Sequence, residues 1–292
     1  VKFSLIMATF GRKEEVKSFF QCLENQSYST FELIIVDQND NDLLDQLIDE
    51  YKEKLEIKHI RIDQKGLSLA RNVGIREACG DIISFPDDDC LYPHDLLWKI
   101  CEFFHNRTNV DAISTAWYDS VTGKPIRNYG ELEETIDRIK VWTKVSSITL
   151  FLKRPVLNKI GDFDEKLGIG PSSKWKGAED KDLPLRLIKN NFNLIFSPSL
   201  HVLHPSPDYT AELIPSGKKR KTYLKKVYSY SAAAGYVMRK HQFPLYLKAG
   251  AVTVIFIKLI IALIKFDFFM VKVRFFSLTG RVDGLFNRLI EK

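Results

Sequence analysis

The sequence predicts an α/β fold, a single, mostly parallel sheet flanked by helices, with a C-terminal amphipathic helical extension. Three observations predict it. Apolar strands and amphipathic helices alternate over the first hundred residues. The apolar run Ile82-Ile83-Ser84-Phe85 ends in Pro86 and three consecutive carboxylates, Asp87, Asp88 and Asp89. Charge is also split along the chain. Residues 213–292 hold 16 Lys and Arg against 3 Asp and Glu, a net of +13, which leaves −7 for residues 1–212 out of the total of +6. The split predicts an acidic working domain, 1–212, and a basic extension, 213–292, addressed to an anionic surface.

The acidic triplet organises the rest. No core holds three unpaired anions side by side, so the cluster belongs at the mouth of the sheet, facing solvent or a cation. In an open α/β sheet the carboxyl ends of the strands are where ligands bind. A small hard cation with oxygen ligands, Mn²⁺ or Mg²⁺, bridging to phosphate oxygens accounts for the triplet. A solvated acidic turn is the plain alternative.

In chain order, Phe3 to Ala8 reads as a strand and Glu14 to Asn25 as a helix with Val16, Phe19, Phe20 and Leu23 on one face. Phe31 to Val36 is the next strand and ends in Asp37-Gln38-Asn39-Asp40, so polar groups stand at strand ends as in a nucleotide-binding half. No G-x-G-x-x-G follows the first strand and no G-x-x-x-x-G-K-S/T occurs, which argues against dinucleotide and Walker-type phosphate sites. Leu43 to Lys54 is a helix and Ile57 to Ile62 a strand. After Lys65-Gly66 a helix runs to Ala78, with Ser68 as its expected cap; Lys65 and Arg71 would meet a diphosphate if this turn lies over a metal, although an arginine on a helix is more often a surface residue.

Beyond the triplet, His94 to Phe104 reads as a helix and Asp111 to Trp117 as a strand. Residues 118–145 are too long for a connector and are expected to form a flap on the acceptor side. A strand, Ser146 to Leu152, and a helix, Pro155 to Ile160, follow; the glycine-rich run 161–171 is a lid or a plain surface loop. Glu179, Asp180 and Asp182 open a helix in which Pro184 is tolerated only in the first turn. Free N–H groups at a helix start favour ionised carboxylates, so capping alone explains the cluster, yet two acidic clusters also suit a metal site paired with a general base. A strand from Asn193 leads to His201 and His204, which alternation places on different faces. Either supplies nitrogen to a cation or is a satisfied surface histidine. Cys22, Cys79, Cys90 and Cys101 lack the spacing of a zinc site or a disulfide framework and read as reduced thiols. The opening Val-Lys-Phe-Ser-Leu-Ile reads as a strand rather than a signal peptide.

These residues together resemble the family 2 glycosyltransferases of GT-A fold, the group that includes bacterial surface-polysaccharide transferases. The likeness rests on the opening strand with Thr9 and Arg12, Leu33-Ile34-Ile35-Val36-Asp37, Lys65-Gly66 through Arg71-Asn72-Val73-Gly74, Asp87-Asp88-Asp89, and Gly177-Ala178-Glu179-Asp180. Five motifs fall in the family's order over roughly residues 1–205. The resemblance implies an inverting, metal-dependent transfer of sugar from a nucleotide-diphosphate sugar, with UDP as the first carrier, to a hydroxyl of a glycan or polyprenyl-linked glycan. It implies that Thr9, Arg12, Asp37, Asn39, Lys65, Arg71, Asp87 and Asp88 bind the donor. Asp89, with Asp87 and His204, would hold Mn²⁺ or Mg²⁺. Asp180 would be the general base and Glu179 its neighbour on the acceptor. Gln38-Asn39-Asp40 departs from the small-residue turn of many relatives. The competing readings are a metal-dependent nucleotidyltransferase, for which Phe10-Gly11-Arg12 is a poor phosphate loop, and a non-catalytic carbohydrate-binding scaffold.

In the extension, Lys218-Lys219-Arg220-Lys221 precedes an apolar stretch, Leu245 to Phe276, whose longest uncharged run, Ala249 to Ile257, is short for a spanning helix. Lys258, Lys265 and Lys272 recur every seven residues, which predicts one helix lying in a membrane interface with its lysines snorkelling. The expected place is the cytoplasmic face of a bacterial inner membrane, bound peripherally to anionic lipid; a homodimer through the same helix is the alternative. Nucleic acid is not an expected partner, because the aromatics alternate with aliphatics rather than arginines.

Overall fold

The computed structural model describes residues 1–171, 173–206 and 217–288. The chain forms two compact units, residues 1–163 with 183–207, and residues 164–182 with 208–292. The division expected at 212/213 lies outside the described residues. It also differs in one respect, since residues 164–182 group with the C-terminal helices.

The first unit contains β1 (Phe3–Thr9), α1 (Glu14–Glu24), β2 (Phe31–Asp37), α2 (Asp45–Tyr51), β3 (Ile57–Arg61), α3 (Leu67–Glu77), β4 (Ile82–Ser84) and α4 (Leu96–Asn106). It continues with β5 (Ala112–Asp119), β6 (Glu134–Thr135), α5 (Val141–Lys144), β7 (Leu150–Lys153) and α6 (Arg154–Ile160). The helix α7 (Glu179–Lys189) starts in the second unit, and β8 (Leu194–His204) completes the first. One eight-stranded sheet has the order β3-β2-β1-β4-β7-β5-β8-β6. β3, β2, β1 and β4 are parallel, as is β5 with β8, while β7 runs antiparallel to both β4 and β5. The sheet is therefore mostly parallel, as expected, with the antiparallel strand β7 at its centre and β6 antiparallel at its edge.

Every residue of β2 and all but one of β1 are buried, the pattern of strands covered on both faces. Phe3, Leu5, Met7, Leu33 and Ile35 meet Phe19, Phe20 and Leu23 of α1 and Phe151 of β7 in one core. On the other face α3 comes close at Gly74, where a side chain would run into Ile6. Ser68 does not cap α3. Gly66 is the capping residue, its N–H donates to Gln38 Oε1 at 2.6 Å, and Ser68 is buried inside the helix. The expected flap, 118–145, adds β6 to the edge of β8 and contains α5.

The second unit holds α8 (Gly217–Lys240), α9 (Leu245–Ile264) and α10 (Phe268–Leu285). α8 and α10 approach backbone to backbone, because side chains at Gly280 and Gly284 would strike the carbonyls of Tyr228 and Ala232. The single amphipathic helix expected over 245–276 is two helices. Phe266 takes a φ of 53°, and the Asp267 side chain accepts from the Met270 N–H at 2.9 Å, capping α10. Lys258, Lys265 and Lys272 therefore lie on α9, at its cap and on α10, and share no face. α9 is also more apolar than its lysines implied. With a mean hydropathy of 2.3 and 11% of its apolar window buried, it is long and apolar enough to cross a membrane by length and composition.

Candidate active site

β1 and β2 end side by side, with Thr9 paired to Asp37, and Ala8 bridges to Asp87 beyond β4. Three strand ends thus present their polar residues along one edge. Asp37 is fully buried and accepts hydrogen bonds from the Asn39 N–H (2.8 Å) and Asn39 Nδ2 (2.7 Å), with His59 Nε2 at 3.0 Å. Burial alone would raise its pKa, but His59 and Asn39 outweigh burial and hold it below the ordinary carboxylate value. Asn39 Oδ1 in turn accepts from the Gly11 N–H at 2.7 Å, so Asn39 ties the two strand ends together.

The acidic triplet forms a connected network. Thr9 Oγ1 donates to Asp88 Oδ2 at 2.8 Å, and Arg12 reaches both Asp88 (3.0 Å) and Asp89. Burial pushes Asp88 up to about 6 against the pull of Thr9 and Arg12. Asp89 goes the other way. Burial opposes its charge, but His204 and Arg12 bring it down to about 2. His204 Nε2 lies 2.8 Å from Asp89 Oδ1 and 3.8 Å from Asp87 Oδ2. Its place follows from backbone pairing, since Leu91, just past the triplet, exchanges two 2.8 Å hydrogen bonds with Leu203.

Asp87, Asp89 and His204 each offer a ligand atom within 4.8 Å of the others. The His204 Nδ1–H donates to the Pro205 carbonyl at 2.8 Å, which turns Nε2 toward the carboxylates as an available lone pair when the ring is neutral. Two carboxylates and one such imidazole form a donor set that a divalent cation can use. His201 stands apart. It stacks on Tyr118 with ring centroids 4.3 Å apart.

Arg71 is no surface residue. It is 1% exposed, donates from Nη2 to Asp87 Oδ1 (2.8 Å) and Ser147 Oγ (3.0 Å), and lies over the Phe163 ring. Sequence reasoning missed Ser147, His59 and Asn72, which exchanges hydrogen bonds of 2.8 and 2.9 Å with the Phe163 backbone. His59 and Ser147 left no local signal, whereas Asn72 stands inside the Arg71-Asn72-Val73-Gly74 motif. Lys65 pairs with Asp40 at 2.7 Å and lies 4.5 Å over the exposed Phe10 ring. Cys90 is wholly buried, and burial with the adjacent carboxylates raises its thiol well above its ordinary value.

In the second unit, Glu179 and Asp180 open α7; Glu179 is buried and Asp180 half-buried, 3.0 Å from Lys181 Nζ. Pro184 stands in the second turn of α7, one turn later than expected.

The sequence model of the family described as Glycosyl transferase family 2 matches residues 4–160. The chain belongs to glycosyltransferase family 2. It is 26% identical over 196 residues to an uncharacterized glycosyltransferase of Haemophilus influenzae, covering 64% of this chain and 62% of that protein. The chain therefore spans less than two thirds of that relative's length. Among solved structures, S. aureus TarS in complex with UDP superposes with a TM-score of 0.60 at 17% identity, covering 100% of this chain and 93% of that one. The mannosyltransferase PcManGT from Pyrobaculum calidifontis, in complex with GDP-Man and Mn²⁺, does so at 0.56 and 15% identity, over 98% and 88% of the two chains. The sheet with its flanking helices is thus a GT-A fold, followed by C-terminal helices.

Proposed function

We propose that this protein is an inverting glycosyltransferase that moves a sugar from a nucleotide-diphosphate sugar, UDP being the first candidate carrier, to a hydroxyl of a glycan or polyprenyl-linked glycan in surface polysaccharide synthesis. One observation carries the reading: Asp87, Asp89 and His204 converge at the carboxyl edge of the sheet, with Thr9, Arg12 and Arg71 bonded into the same network. The UDP and the GDP-Man with Mn²⁺ held by the two structural neighbours support it. A divalent cation on Asp87, Asp89 and His204 would neutralise charge developing on the departing diphosphate.

The chain's own groups do the rest. Asp37 and Asn39 hold the nucleoside side, and Arg71 and Lys65 supply fixed positive charge to the diphosphate. The acceptor hydroxyl oxygen bonds to the anomeric carbon from the face opposite the diphosphate. The bond to the diphosphate oxygen breaks, and its electron pair leaves with the phosphate. Asp180 takes the hydroxyl proton while Glu179 orients the acceptor, and one displacement gives inversion. The greater exposure of Asp180 favours it over the buried Glu179 as the group that meets a substrate.

The extension is assigned to the cytoplasmic face of a bacterial inner membrane, bound peripherally. Its net charge of +13 suits anionic lipid, and Ile257, Ile260, Ile264, Phe266 and Phe268 are exposed.

The test is calorimetric titration with UDP, GDP and TDP, each with Mn²⁺ and with EDTA. One nucleotide is expected to bind tightly only with metal, and Asp89→Asn and His204→Ala are expected to lose that metal-dependent part. Binding that ignores EDTA removes the cation from the mechanism, and no binding at all leaves a scaffold. Asp180→Asn should keep nucleotide binding and lose nucleotide release from the sugar donor; unchanged release would sink the base assignment.

A further inference from the structure

Residues 164–182 carry Glu179 and Asp180, yet they contain little regular structure. Gly168, Gly170, Gly177 and Ala178 all take positive φ, and among the described residues the only helical ones are the first four of α7. A segment of this kind is expected to be among the least stable parts of a fold. Here it is fastened at several points to α8. Its two end residues are both acidic, and one lysine holds both: Lys240 Nζ lies 2.7 Å from Asp164 Oδ2 and 2.7 Å from Asp182 Oδ1. His241 Nε2 meets the same Asp182 oxygen at 2.8 Å. Asp182 is 1% exposed, so protein partners, Lys240 and His241 among them, meet its charge in place of water. Midway, the buried Trp175 ring stacks on Tyr236 with centroids 4.6 Å apart and planes at 15°. At Gly177 a Cβ would stand 3.1 Å from the Tyr230 ring.

We propose that Lys240 and His241, at the end of α8, are positioning residues of the transfer reaction, because they close the ends of the segment that carries Glu179 and Asp180 and fix its conformation. The extension is then part of the working enzyme and not only a membrane anchor. Lys240 contributes a charge that a neutral side chain of similar length cannot replace, whereas arginine can. The inference rests on the assignment of Asp180 as base, and its test separates the two.

The full chain is compared as wild type, Lys240→Met, Lys240→Arg, His241→Gln and Asp180→Asn. Amide hydrogen exchange is read over 164–182 and over β1 to β4, and nucleotide release is measured with a panel of UDP-, GDP- and TDP-sugars and Mn²⁺. In Lys240→Met, exchange over 164–182 is expected to rise about tenfold or more with β1 to β4 unchanged. Nucleotide release should fall by a similar factor while nucleotide affinity stays within about twofold, and Lys240→Arg should restore both. His241→Gln should show the same pattern more weakly. Exchange unchanged in Lys240→Met overturns the clamp. Faster exchange with release unaltered overturns its part in the reaction, and faster exchange throughout both units reduces it to general stability. Asp180→Asn with wild-type release and wild-type exchange would instead strike the base assignment and leave the clamp standing.

Discussion

Asp37 carries its charge where water does not reach, held by two hydrogen bonds from Asn39 and by His59. Its carboxyl titrates below the ordinary carboxylate value, so the stabilisation it gives is complete above that value and is lost as pH falls through the folded one. Asp37→Asn is therefore expected to lower stability by about 2 kcal/mol at neutral pH, since a donor is left facing donors. In urea unfolding the two curves should converge in strong acid; a difference independent of pH would show that charge is not what Asp37 contributes. At this scale the acidic residues were legible in the sequence, because three carboxylates after a buried strand have few places to go. Their basic partners Arg12, Arg71 and His204 were named through the family resemblance and not by local pattern. Arg71 looked like a surface residue because its partners Asp87 and Ser147 lie 16 and 76 positions away. His204 became distinguishable from His201 only through the pairing of Leu91 with Leu203, a long-range register that local alternation does not carry. Lys240 and His241 were hidden in the general basic charge of the extension.

At the scale of elements, strands and helices of the first hundred residues fell where periodicity put them, because burial on one or both faces sets the apolar pattern directly. The mostly parallel course was also as expected, but periodicity does not say which strand reverses. Nothing local marks β7 as antiparallel, since the reversal is set by the course of 118–145. The turn between α9 and α10 was missed because the seven-residue spacing of Lys258, Lys265 and Lys272 reads as one helix, which hides Asp267 as a cap. The glycines of α10 were silent for the same reason, as their role depends on α8. They now yield a paired prediction. Gly284→Val would press a side chain on the Ala232 carbonyl, a backbone atom that cannot turn aside, and is expected to cost about 2 kcal/mol. Gly250 in α9 has no atom near its missing Cβ, so Gly250→Ala should be neutral or stabilise by up to about 1 kcal/mol through helix propensity. Thermal unfolding followed by circular dichroism checks both. Equal effects at the two sites would show that α8 and α10 do not pack backbone to backbone.

For the molecule as a whole, the membrane assignment rests on the exposed apolar residues of α9. Ile257, Ile260 and Ile264 are 51%, 39% and 70% exposed, and Phe266 and Phe268 at the following turn are 77% and 71% exposed. Burying a whole isoleucine gains roughly 1.5–3 kcal/mol, so the exposed parts of these three are worth about 1 kcal/mol each, enough together to move a binding constant by about a hundredfold. Lys221, Lys225 and Lys226 are exposed on α8 in the same unit, and each lysine near an anionic surface adds about 1 kcal/mol that salt removes. The two contributions separate experimentally. Vesicles of neutral lipid with and without phosphatidylglycerol are floated with the full chain at low salt and at about 0.5 M salt, where charges are screened within a few ångströms. Wild type is expected to float with anionic vesicles at low salt and to keep part of its binding at high salt. Substituting Lys221, Lys225 and Lys226 by Glu should remove only the salt-sensitive part, and Ile257, Ile260 and Ile264 by Ser should remove the remainder. A chain that fails to float and sediments as a dimer, becoming monomeric with the three serines, would instead show that α9 is covered by a second copy and that the membrane assignment is wrong.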